Sequence, residues 1–386
     1  MRFLHTADWH VGKTIRGRSR ADEFASVLDE IVGIASQEGV DAVLIAGDVY
    51  EHRAPPPEAD LIAFEAFVRL HEAGIPAVAV AGNHDSPVRL EALSKLLSPI
   101  GVRVVPRVMR PDDGGVVEVA SRDGSRVAAI SCVPFVAPRR FGDAAQLFDA
   151  PEGWFQSYAE GMGGLLSAYE RAFRPDRVNV VVAHLFTDGA LLGGGEREVT
   201  IGMDYAVSPA RLPATAAYLA LGHVHRPQTV RGAAAPARYA GSPLQLDFGE
   251  VDQRKSVAIV DASPGKPSAV RTVELTAGRR LVDLRGTLDE LVAQAGSVGD
   301  AYVRAFVSTD GPVPGIAEQV REALPNAVDV HLTYERAELE DAGPPVSSLS
   351  PREQFLAYYR HEHAAEPSDD LVSAFDEVLA GASEGA

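Results

Sequence analysis

"AGNHDSP", residues 81–87, follows the apolar run "IPAVAV" and places an amide, an imidazole and a carboxylate side by side as Asn83, His84 and Asp85. A loop that only caps a helix uses such residues, because Asn, Asp and Ser favour helix N-termini. A strand that ends in a metal site uses them as well, because carboxylates and imidazoles bind divalent cations. The rest of the sequence decides between these two interpretations.

Other short apolar runs are also followed by polar residues. They are rich in Val, Ile and Ala and do not alternate with polar residues, which is typical of strands buried on both faces. These runs lie at 2–6, 41–46, 76–81, 127–133, 178–183, 217–221, 237–241 and 255–260. Helical spacing of apolar residues over 20–38 and 58–73 separates the first three runs. The alternation predicts an α/β fold of layered sheets with helices outside them.

His, Asp and Asn residues sit at the ends of five of these predicted strands. In α/β sheets, ligands bind at the carboxyl ends of the strands, so five segments deliver donors to one edge. The candidate metal ligands are Asp8, His10, Asp48, Asn83, His184, His223 and His225. This set of oxygen and nitrogen donors without a thiolate suits manganese, iron, zinc or magnesium. Seven donors are too many for one ion and reasonable for two.

The chemistry that such a site supports is phosphate ester hydrolysis. Two ions about 3.5–4 Å apart can clamp a phosphate and lower the pKa of a bound water. Asp48, alone on its loop, is the natural bridge because a carboxylate offers one oxygen to each ion. His84 remains after the ligands are assigned, and a histidine there can stabilise the transition state or protonate the leaving alkoxide.

The order D-x-H, G-D, G-N-H-D, an isolated His and G-H-x-H resembles the calcineurin-like metallophosphoesterase superfamily over roughly residues 1–260. The segments "LHTADWHVGK", "AGDVYEHRAPP", "AGNHDSPVRL", "LALGHVHRPQ" and "YAGSPLQLDFGE" resemble, more narrowly, the SbcD-type nuclease subunits of bacterial SbcCD complexes. The resemblance implies a metallophosphoesterase sandwich with two manganese ions and with His84 as the catalytic histidine. One ion would be held by Asp8, His10, Asp48 and His225, and the other by Asp48, Asn83, His184 and His223.

Three domains are expected. Residues 1–262 would form the metallophosphoesterase domain, residues 270–340 a small α+β capping domain, and residues 348–386 a helical tail. "SPREQFLAYYR" at the start of the tail contains a capping box, with Ser350 as the N-cap and Glu353 three residues later. The tail resembles the partner-binding segment of the family and implies docking to an SbcC-type ATPase.

Several residues near the motifs keep more than one interpretation. Glu51 or Asp85 could hold the His84 ring, and Asp85 is equally well a helix-capping or loop-bracing residue. Arg53 and Arg89 are more typical of surface or salt-bridged residues than of phosphate contacts, and His52 is assigned no catalytic role. Trp9 packs under the metal loop in the simpler interpretation and stacks on a base in the other. "LLGGGEREVTIG" at 191–202 is expected to be a mobile loop near the mouth of the site.

Composition limits the surroundings in which the chain works. The net charge is −18, so most of the surface should repel nucleic acid unless bound cations or a basic partner reverse the sign. Cys132, the single cysteine, excludes a disulfide within the chain and is expected to be a buried apolar residue in a cytoplasmic protein. No apolar run reaches the roughly 18 residues of a membrane span.

Three hypotheses follow. The first is a metal-dependent DNA nuclease subunit that hydrolyses phosphodiester bonds at DNA ends in double-strand-break repair, as a homodimer within a heterotetramer with the ATPase. The second is a phosphodiesterase or phosphomonoesterase of the same fold that acts on small molecules, which would need neither the cap nor the tail. The third is a non-catalytic DNA-end assembly protein, which the intact ligand set disfavours. The sequence leaves exonuclease against endonuclease activity, polarity and metal identity open.

Overall fold

A computed structural model of the chain describes residues 1–137, 157–196, 205–311, 313–334, 349–363 and 366–383. The chain divides into two compact units. The first consists of residues 1–308 and 314–332, and the second of residues 309–313 and 333–386. No helix of the described residues is long and apolar enough to cross a lipid bilayer.

Strands and helices of the described residues are numbered along the chain. The strands are β1 (Arg2–Thr6), β2 (Ala42–Ile45), β3 (Ala77–Val80), β4 (Val102–Val105), β5 (Val116–Ala120), β6 (Val127–Val133), β7 (Val178–His184), β8 (Tyr218–Gly222), β9 (Gln228–Thr229), β10 (Ala237–Tyr239), β11 (Ser256–Ser263), β12 (Lys266–Glu274), β13 (Leu281–Gly286), β14 (Tyr302–Ser308) and β15 (Ala327–Thr333). The helices are α1 (Ala21–Gln37), α2 (Pro57–Glu72), α3 (Pro87–Leu97), α4 (Tyr158–Glu170), α5 (Leu288–Val298), α6 (Ile316–Ala323), α7 (Pro351–His363) and α8 (Asp369–Ser383).

Two six-stranded sheets form the larger part of the first unit. The first sheet has the order β12-β11-β1-β2-β3-β4, and the second has the order β5-β6-β7-β8-β10-β9. Strands β1 to β4 run parallel, as do β6, β7, β8 and β10. Antiparallel pairing joins β11 to β1 and to β12 in the first sheet, and β5 to β6 and β9 to β10 in the second. The carboxyl ends of the parallel strands of each sheet therefore lie along one edge.

The two sheets pack face to face with helices outside them. Phe3 and Leu44 of the first sheet share an inner core with Ile130 and Val182 of the second. Neighbouring residues such as Leu4 face outward, where α1 and α2 cover the first sheet, and α4 covers the second in the same way. The strands are thus buried on both faces, which explains their unbroken apolar sequences. The predicted layered α/β sandwich is confirmed.

Both early helices form where their apolar spacing predicted them. The chain leaves α1 at Gly39 (φ 59°) and α2 at Gly74 (φ 68°), where an L side chain would be strained. Helix α3 follows Ser86, whose hydroxyl accepts from the Arg89 backbone N–H at 3.5 Å. Ser86 therefore caps the helix that follows "AGNHD".

Six elements were not anticipated from the sequence: β4, β5, β9, β12, β13 and α4. Strand β12 continues the first sheet to Glu274 after a turn at Gly265 (φ 65°). Its residues are mostly exposed, because it is an edge strand, and so it lacks the apolar signature of the buried strands.

A third sheet, β13-β14-β15, lies in the first unit beyond β12. Leu291 of α5 and Val320 of α6 pack on Val303 and Val307 of β14, which makes a small core of its own. The mixture of strands and helices expected over 270–340 is present as far as Thr333, and residues 335–348 lie outside the described part of the chain. The three predicted domain limits stay predictions.

The second unit contains the tail helices. Ser350 and Glu353 form the expected capping box, since Glu353 Oε2 accepts from the Ser350 backbone N–H at 2.7 Å and Ser350 Oγ accepts from the Glu353 backbone N–H at 3.3 Å. Phe355 of α7 stacks on Phe375 of α8, with ring centroids 4.2 Å apart. The two helices therefore pack on one another through aromatic rings.

Candidate metal centre

All seven predicted ligands lie close together at the carboxyl ends of the strands. The first sheet supplies residues after β1, β2 and β3, and the second supplies residues at the ends of β7 and β8. Each side chain is buried, with at most 5% of the residue exposed: Asp8, His10, Asp48, Asn83, His184, His223 and His225. Candidate ligand atoms form two groups, and within each group they lie no more than 4.8 Å from one another. The groups are His10, Asp48 and His84, and Asp8, Asp48 and His184.

Asp48 is the residue that these two groups share. Its Oδ2 lies 3.6 Å from His10 Nε2 and 3.4 Å from His184 Nε2. Its Oδ1 accepts from the His84 backbone N–H at 2.8 Å, which fixes the plane of the group. Burial would raise the pKa of Asp48, but the neighbouring imidazoles, chiefly His184, together outweigh it, and the pKa falls below its usual value. Asp48 is therefore an ionised carboxylate beside two imidazoles.

Asn83 gathers the donors of the second sheet. Its Oδ1 lies 2.9 Å from His184 Nε2 and 2.9 Å from His223 Nδ1, and these two ring nitrogens are 3.2 Å apart. The other nitrogen of His184, Nδ1, donates to the Ala46 carbonyl at 2.8 Å. The bond to a carbonyl fixes the ring orientation and leaves Nε2 facing the centre.

The backbone carries strain where the ligands sit. Five non-glycine residues of the described chain have positive φ, and four of them are predicted ligands. Those four are Asp8 (φ 52°), His10 (φ 50°), Asp48 (φ 49°) and His223 (φ 101°). Such conformations are uncommon for L-residues and persist only where the surroundings impose them, which occurs most often at functional sites.

Two glycines make room for these side chains. A Cβ on Gly82 would overlap Oδ1 of Asp48, and a Cβ on Gly47 (φ 90°) would overlap Nδ1 of His184. The glycines of "AGD" and "AGN" are thus needed because the chain passes directly beside the donors.

Among the predicted ligands, two buried atoms have no hydrogen-bond partner in the described part of the chain: Oδ2 of Asp8 and Nε2 of His10. Burial raises the pKa of Asp8 to about 6 and lowers that of His10 to about 4. Buried polar atoms of this kind are costly unless something binds them. A divalent cation would satisfy both, so the residues present fit the metal site that the sequence predicts.

His84 lies against the same cluster. Its ring is 4.6 Å from the ring of His10, and its Nδ1 donates to the Glu51 carbonyl at 2.8 Å. The Glu51 carboxylate holds a different ring, since Oε2 accepts from His10 Nδ1 at 2.7 Å and Oε1 from Lys13 Nζ at 3.1 Å. Glu51 therefore orients His84 through its main chain and His10 through its side chain.

The neighbouring residues for which the sequence allowed more than one role make different contacts in the structure. Asp85 braces two loops, because its carboxylate accepts from the backbone N–H groups of Gly82 and Tyr50 at 2.9 and 3.1 Å. Arg89 forms an ion pair with Asp60, as the salt-bridged interpretation predicted. His52 and Arg53 are exposed on the loop that follows Asp48.

The simpler interpretations of Trp9 and Cys132 are confirmed. Trp9 is buried and packs against Phe67, with centroids 5.7 Å apart, and its Nε1–H donates to Thr6 Oγ1. Cys132 is buried in β6, and burial raises the pKa of its thiol to about 12. The predicted mobile loop at 191–202 is described only to residue 196.

The residues that surround His225 were not predicted from the sequence. Glu250 accepts from His225 Nδ1 at 3.0 Å and pairs with Lys255 at 2.7 Å. Burial would raise the pKa of Glu250, but Lys255 and the hydrogen-bonded His225 together outweigh it and lower the pKa to about 2. Glu196 accepts from the backbone N–H of His225 at 3.0 Å. "YAGSPLQLDFGE" ends on Glu250, but neither its spacing nor its residue type marks a contact with "GHVH".

Comparisons with known proteins agree with the predicted family. The calcineurin-like phosphoesterase family matches residues 1–227, and the family described as type 5 capsule protein repressor C-terminal domain matches residues 277–363. Three curated relatives are each named as the D component of the nuclease SbcCD. The Bacillus subtilis protein is 33% identical, over 100% of this chain and 99% of its own length. The Rhodobacter capsulatus protein is 34% identical, over 69% and 67%.

The Escherichia coli K12 protein is 28% identical, over 96% of this chain and 91% of its own length. The identity thus extends through the sandwich, the third sheet and the tail helices. The chain therefore belongs to the calcineurin-like phosphoesterase family, on the SbcD-type branch that these relatives represent.

Proposed function

We propose that this protein is the nuclease component of an SbcCD-type complex and hydrolyses phosphodiester bonds at DNA ends during double-strand-break repair. The observation that carries the proposal is the position of Asp48 Oδ2 near both His10 Nε2 and His184 Nε2. A shared carboxylate between two groups of donors is the arrangement that a two-metal phosphoesterase requires.

Manganese is the proposed metal. One ion is assigned to Asp8, His10, Asp48 and His225, and the other to Asp48, Asn83, His184 and His223. When bound, such cations offset the charge of a phosphate and lower the pKa of water. Imidazoles bind metal ions as neutral ligands. Asp48 raises the pKa of His184 to about 9 against the effect of burial, so His184 must lose this proton when a metal ion binds.

His84 is the proposed proton donor to the leaving group. Its Nδ1 keeps a proton because the Glu51 carbonyl can only accept. The exchangeable proton for the leaving alkoxide is therefore carried on Nε2. The backbone N–H of His84 bonds to Asp48, so the donor is fixed relative to the shared carboxylate. This geometry serves general acid catalysis, in which position matters as much as pKa.

An acidic chain needs local cations to approach DNA. Exposed Arg53 lies two residues after Glu51, and Arg226, which is also exposed, directly follows His225. Both are proposed contacts to DNA phosphates at the mouth of the site, where the metal ions also reduce the negative potential.

Two partners belong to the proposal. The tail helices dock to an SbcC-type ATPase, which is supported by the exposed Tyr358 and Val378 on an otherwise self-packed helix pair. A second copy of this chain packs against α2 and α3, which expose Leu61, Val88 and Leu96 and are joined by the Asp60–Arg89 ion pair. The proposed assembly is a homodimer within a heterotetramer in the cytoplasm.

The decisive assay compares two substrates. Purified protein with manganese is incubated with linear duplex DNA and with bis-p-nitrophenyl phosphate, with and without the ATPase partner. Cleavage of both substrates supports the proposal, and replacement of manganese by magnesium or zinc tests the metal. Hydrolysis of the small ester alone, with DNA left intact even when the partner is present, would contradict a nuclease function.

The dimer has its own test. Leu96→Asp places a charge on the exposed apolar face of α3 and should convert a dimer to a monomer in light scattering. Leu332→Asp, which changes an exposed leucine of β15, is the matched control and should leave the mass unchanged. A wild-type protein that is monomeric at micromolar concentration would remove this part of the proposal.

A further inference from the structure

His225 is held from two sides by carboxylates. Its Nδ1 lies 3.0 Å from Glu250 Oε1, and its backbone N–H donates to Glu196 Oε1 at 3.0 Å. Because an ionised carboxylate can only accept, Nδ1 carries the proton and Nε2 is the nitrogen left to act as a ligand. The ring of His10 lies 4.8 Å from the ring of His225. Glu250 therefore sets both the tautomer and the direction of the His225 ring.

Glu250 is itself fixed by a buried ion pair. Its Oε2 lies 2.7 Å from Lys255 Nζ and accepts from the Leu246 backbone N–H at 3.0 Å. Lys255 also donates to the His225 carbonyl and to Ser242 Oγ, both at 2.9 Å. The same pair thus holds the ring and the main chain of His225. A buried pair with all its hydrogen bonds satisfied keeps one geometry, because breaking it leaves an uncompensated charge.

The turn that carries Glu250 also packs against the third sheet. Phe248, two residues earlier, is buried in a cluster with Ile15, Leu281 and Tyr302. The Arg304 guanidinium of β14 lies 4.9 Å from the centre of the Phe248 ring. The turn Phe248–Glu250 is only three residues long. It therefore connects the Phe248 ring, which packs on the third sheet, to the Glu250 carboxylate, which accepts a hydrogen bond from His225.

We propose that Glu250 is a positioning residue for His225 and that the Phe248–Glu250 turn makes the orientation of this ligand depend on how the third sheet is seated. The third sheet then influences cation binding without contributing a ligand. The inference rests on the proposed role of His225 as a ligand. A purely structural role for the Glu250–Lys255 pair is the alternative, and it predicts lower stability with unchanged metal affinity.

Manganese binding to the full-length protein distinguishes these roles. After treatment with EDTA, wild type, Glu250→Ala, Glu250→Gln and Phe248→Ala are titrated with manganese in a calorimeter at a temperature where each is folded. Loss of a group that orients a ligand costs about 10–100-fold in metal affinity. Glu250→Ala should weaken one of two sites by that factor. Glu250→Gln keeps an acceptor for Nδ1–H and should recover most of the loss, and Phe248→Ala should weaken the same site by about threefold or more.

Asn179→Ala is the matched control. Asn179 is a buried side chain near the start of β7, and it accepts from the Arg174 backbone N–H at 3.1 Å and donates to the Arg174 carbonyl at 2.9 Å. These hydrogen bonds reach neither a predicted ligand nor the third sheet. Asn179→Ala should lower the melting temperature and leave both manganese affinities within about twofold, because no ligand is oriented through Asn179.

Three results would overturn the inference. Wild-type affinity in both Glu250→Ala and Phe248→Ala would leave only the structural role, and an equal loss in Asn179→Ala would show a general effect of stability. Should Glu250→Ala not fold, the Phe248→Ala affinity decides in the same way. Unchanged binding of two ions by His225→Ala would instead show that His225 is no ligand, which contradicts the proposed ligand set separately from Glu250.

Discussion

His5 and His10 are both fully buried, five residues apart, yet their neighbours give them opposite roles. His5 lies within β1, between the two sheets, and its Nδ1 is 3.0 Å from the hydroxyl of Tyr218 on β8. His10 lies beyond the end of the same strand, with Glu51 on Nδ1 and Asp48 near Nε2. Burial lowers the pKa of His5 to about 3 and that of His10 to about 4. Burial alone therefore keeps both rings neutral, and the converging carboxylates are what distinguish a candidate ligand from a core residue.

The largest expected effect comes from removing the shared carboxylate. Asp48→Ala should lower kcat/KM on bis-p-nitrophenyl phosphate by about 10⁴-fold or more, because each cation would contribute several kcal/mol of charge stabilisation and this residue is proposed to hold both. The measurement is steady-state hydrolysis with saturating manganese. Asp41→Ala is the control at the opposite end of β2, where Asp41 accepts from the Arg2 and Arg122 backbone N–H groups. Comparable loss in both variants would contradict a special role for the carboxyl edge.

A smaller loss is expected at the proposed proton donor. His84→Ala should lower kcat by about 10³-fold, within the usual range for general acid catalysis, and should still bind two manganese ions. Steady-state kinetics and metal analysis of the same sample check both parts. His52→Ala changes an exposed histidine of the loop that carries Glu51 and should keep activity within about twofold. If His84→Ala lost its metal, His84 would be a ligand rather than a proton donor.

The core histidine should affect stability instead. Because the pKa of His5 is depressed in the folded protein, unfolding takes up a proton below pH 6.5. The stabilisation is complete above pH 6.5 and is lost as the pH falls towards 3. Between pH 7 and pH 4 this amounts to about 3 kcal/mol. His5→Gln, which does not titrate, should lose less stability over that range in urea unfolding of metal-free protein. Parallel losses in the two proteins would refute the assignment.

The smallest effect concerns the partner of His5. Tyr218→Phe leaves the buried Nδ1 without its hydroxyl and should cost about 1–2 kcal/mol of stability, the usual penalty for an unsatisfied buried group. Hydrolysis of the small ester should stay within about twofold, since Tyr218 lies inside β8 and the donors lie beyond its end. Urea unfolding at pH 7 and the ester assay are the two measurements. A large kinetic defect would show that the core around His5 and the candidate ligands at the strand ends do not act independently.

The carboxyl edge could be predicted from the sequence better than its surroundings, and the reason is physical. Asp8 with His10 and His223 with His225 follow apolar strands directly, so their place at a strand end follows from local pattern. Glu250 reaches His225 only through tertiary folding, across 25 residues and a turn, so no periodicity marks it. The role of His5 could not be predicted either, because a histidine within an apolar run does not indicate which residue of a distant strand it contacts. Strand β12 was not predicted because exposed edge strands lack the apolar pattern by which buried strands are recognised.

The position of β1 in its sheet has a consequence for biosynthesis. β1 lies between β2 and β11, so the strand that carries Asp8 and His10 gains its second neighbour only when residues 256–263 have left the ribosome. His223, His225 and Glu250 also emerge late. Domains fold as units during translation, and this one cannot close earlier. A nascent chain therefore lacks the complete set of candidate cation ligands in its folded arrangement until most of the polypeptide has been made.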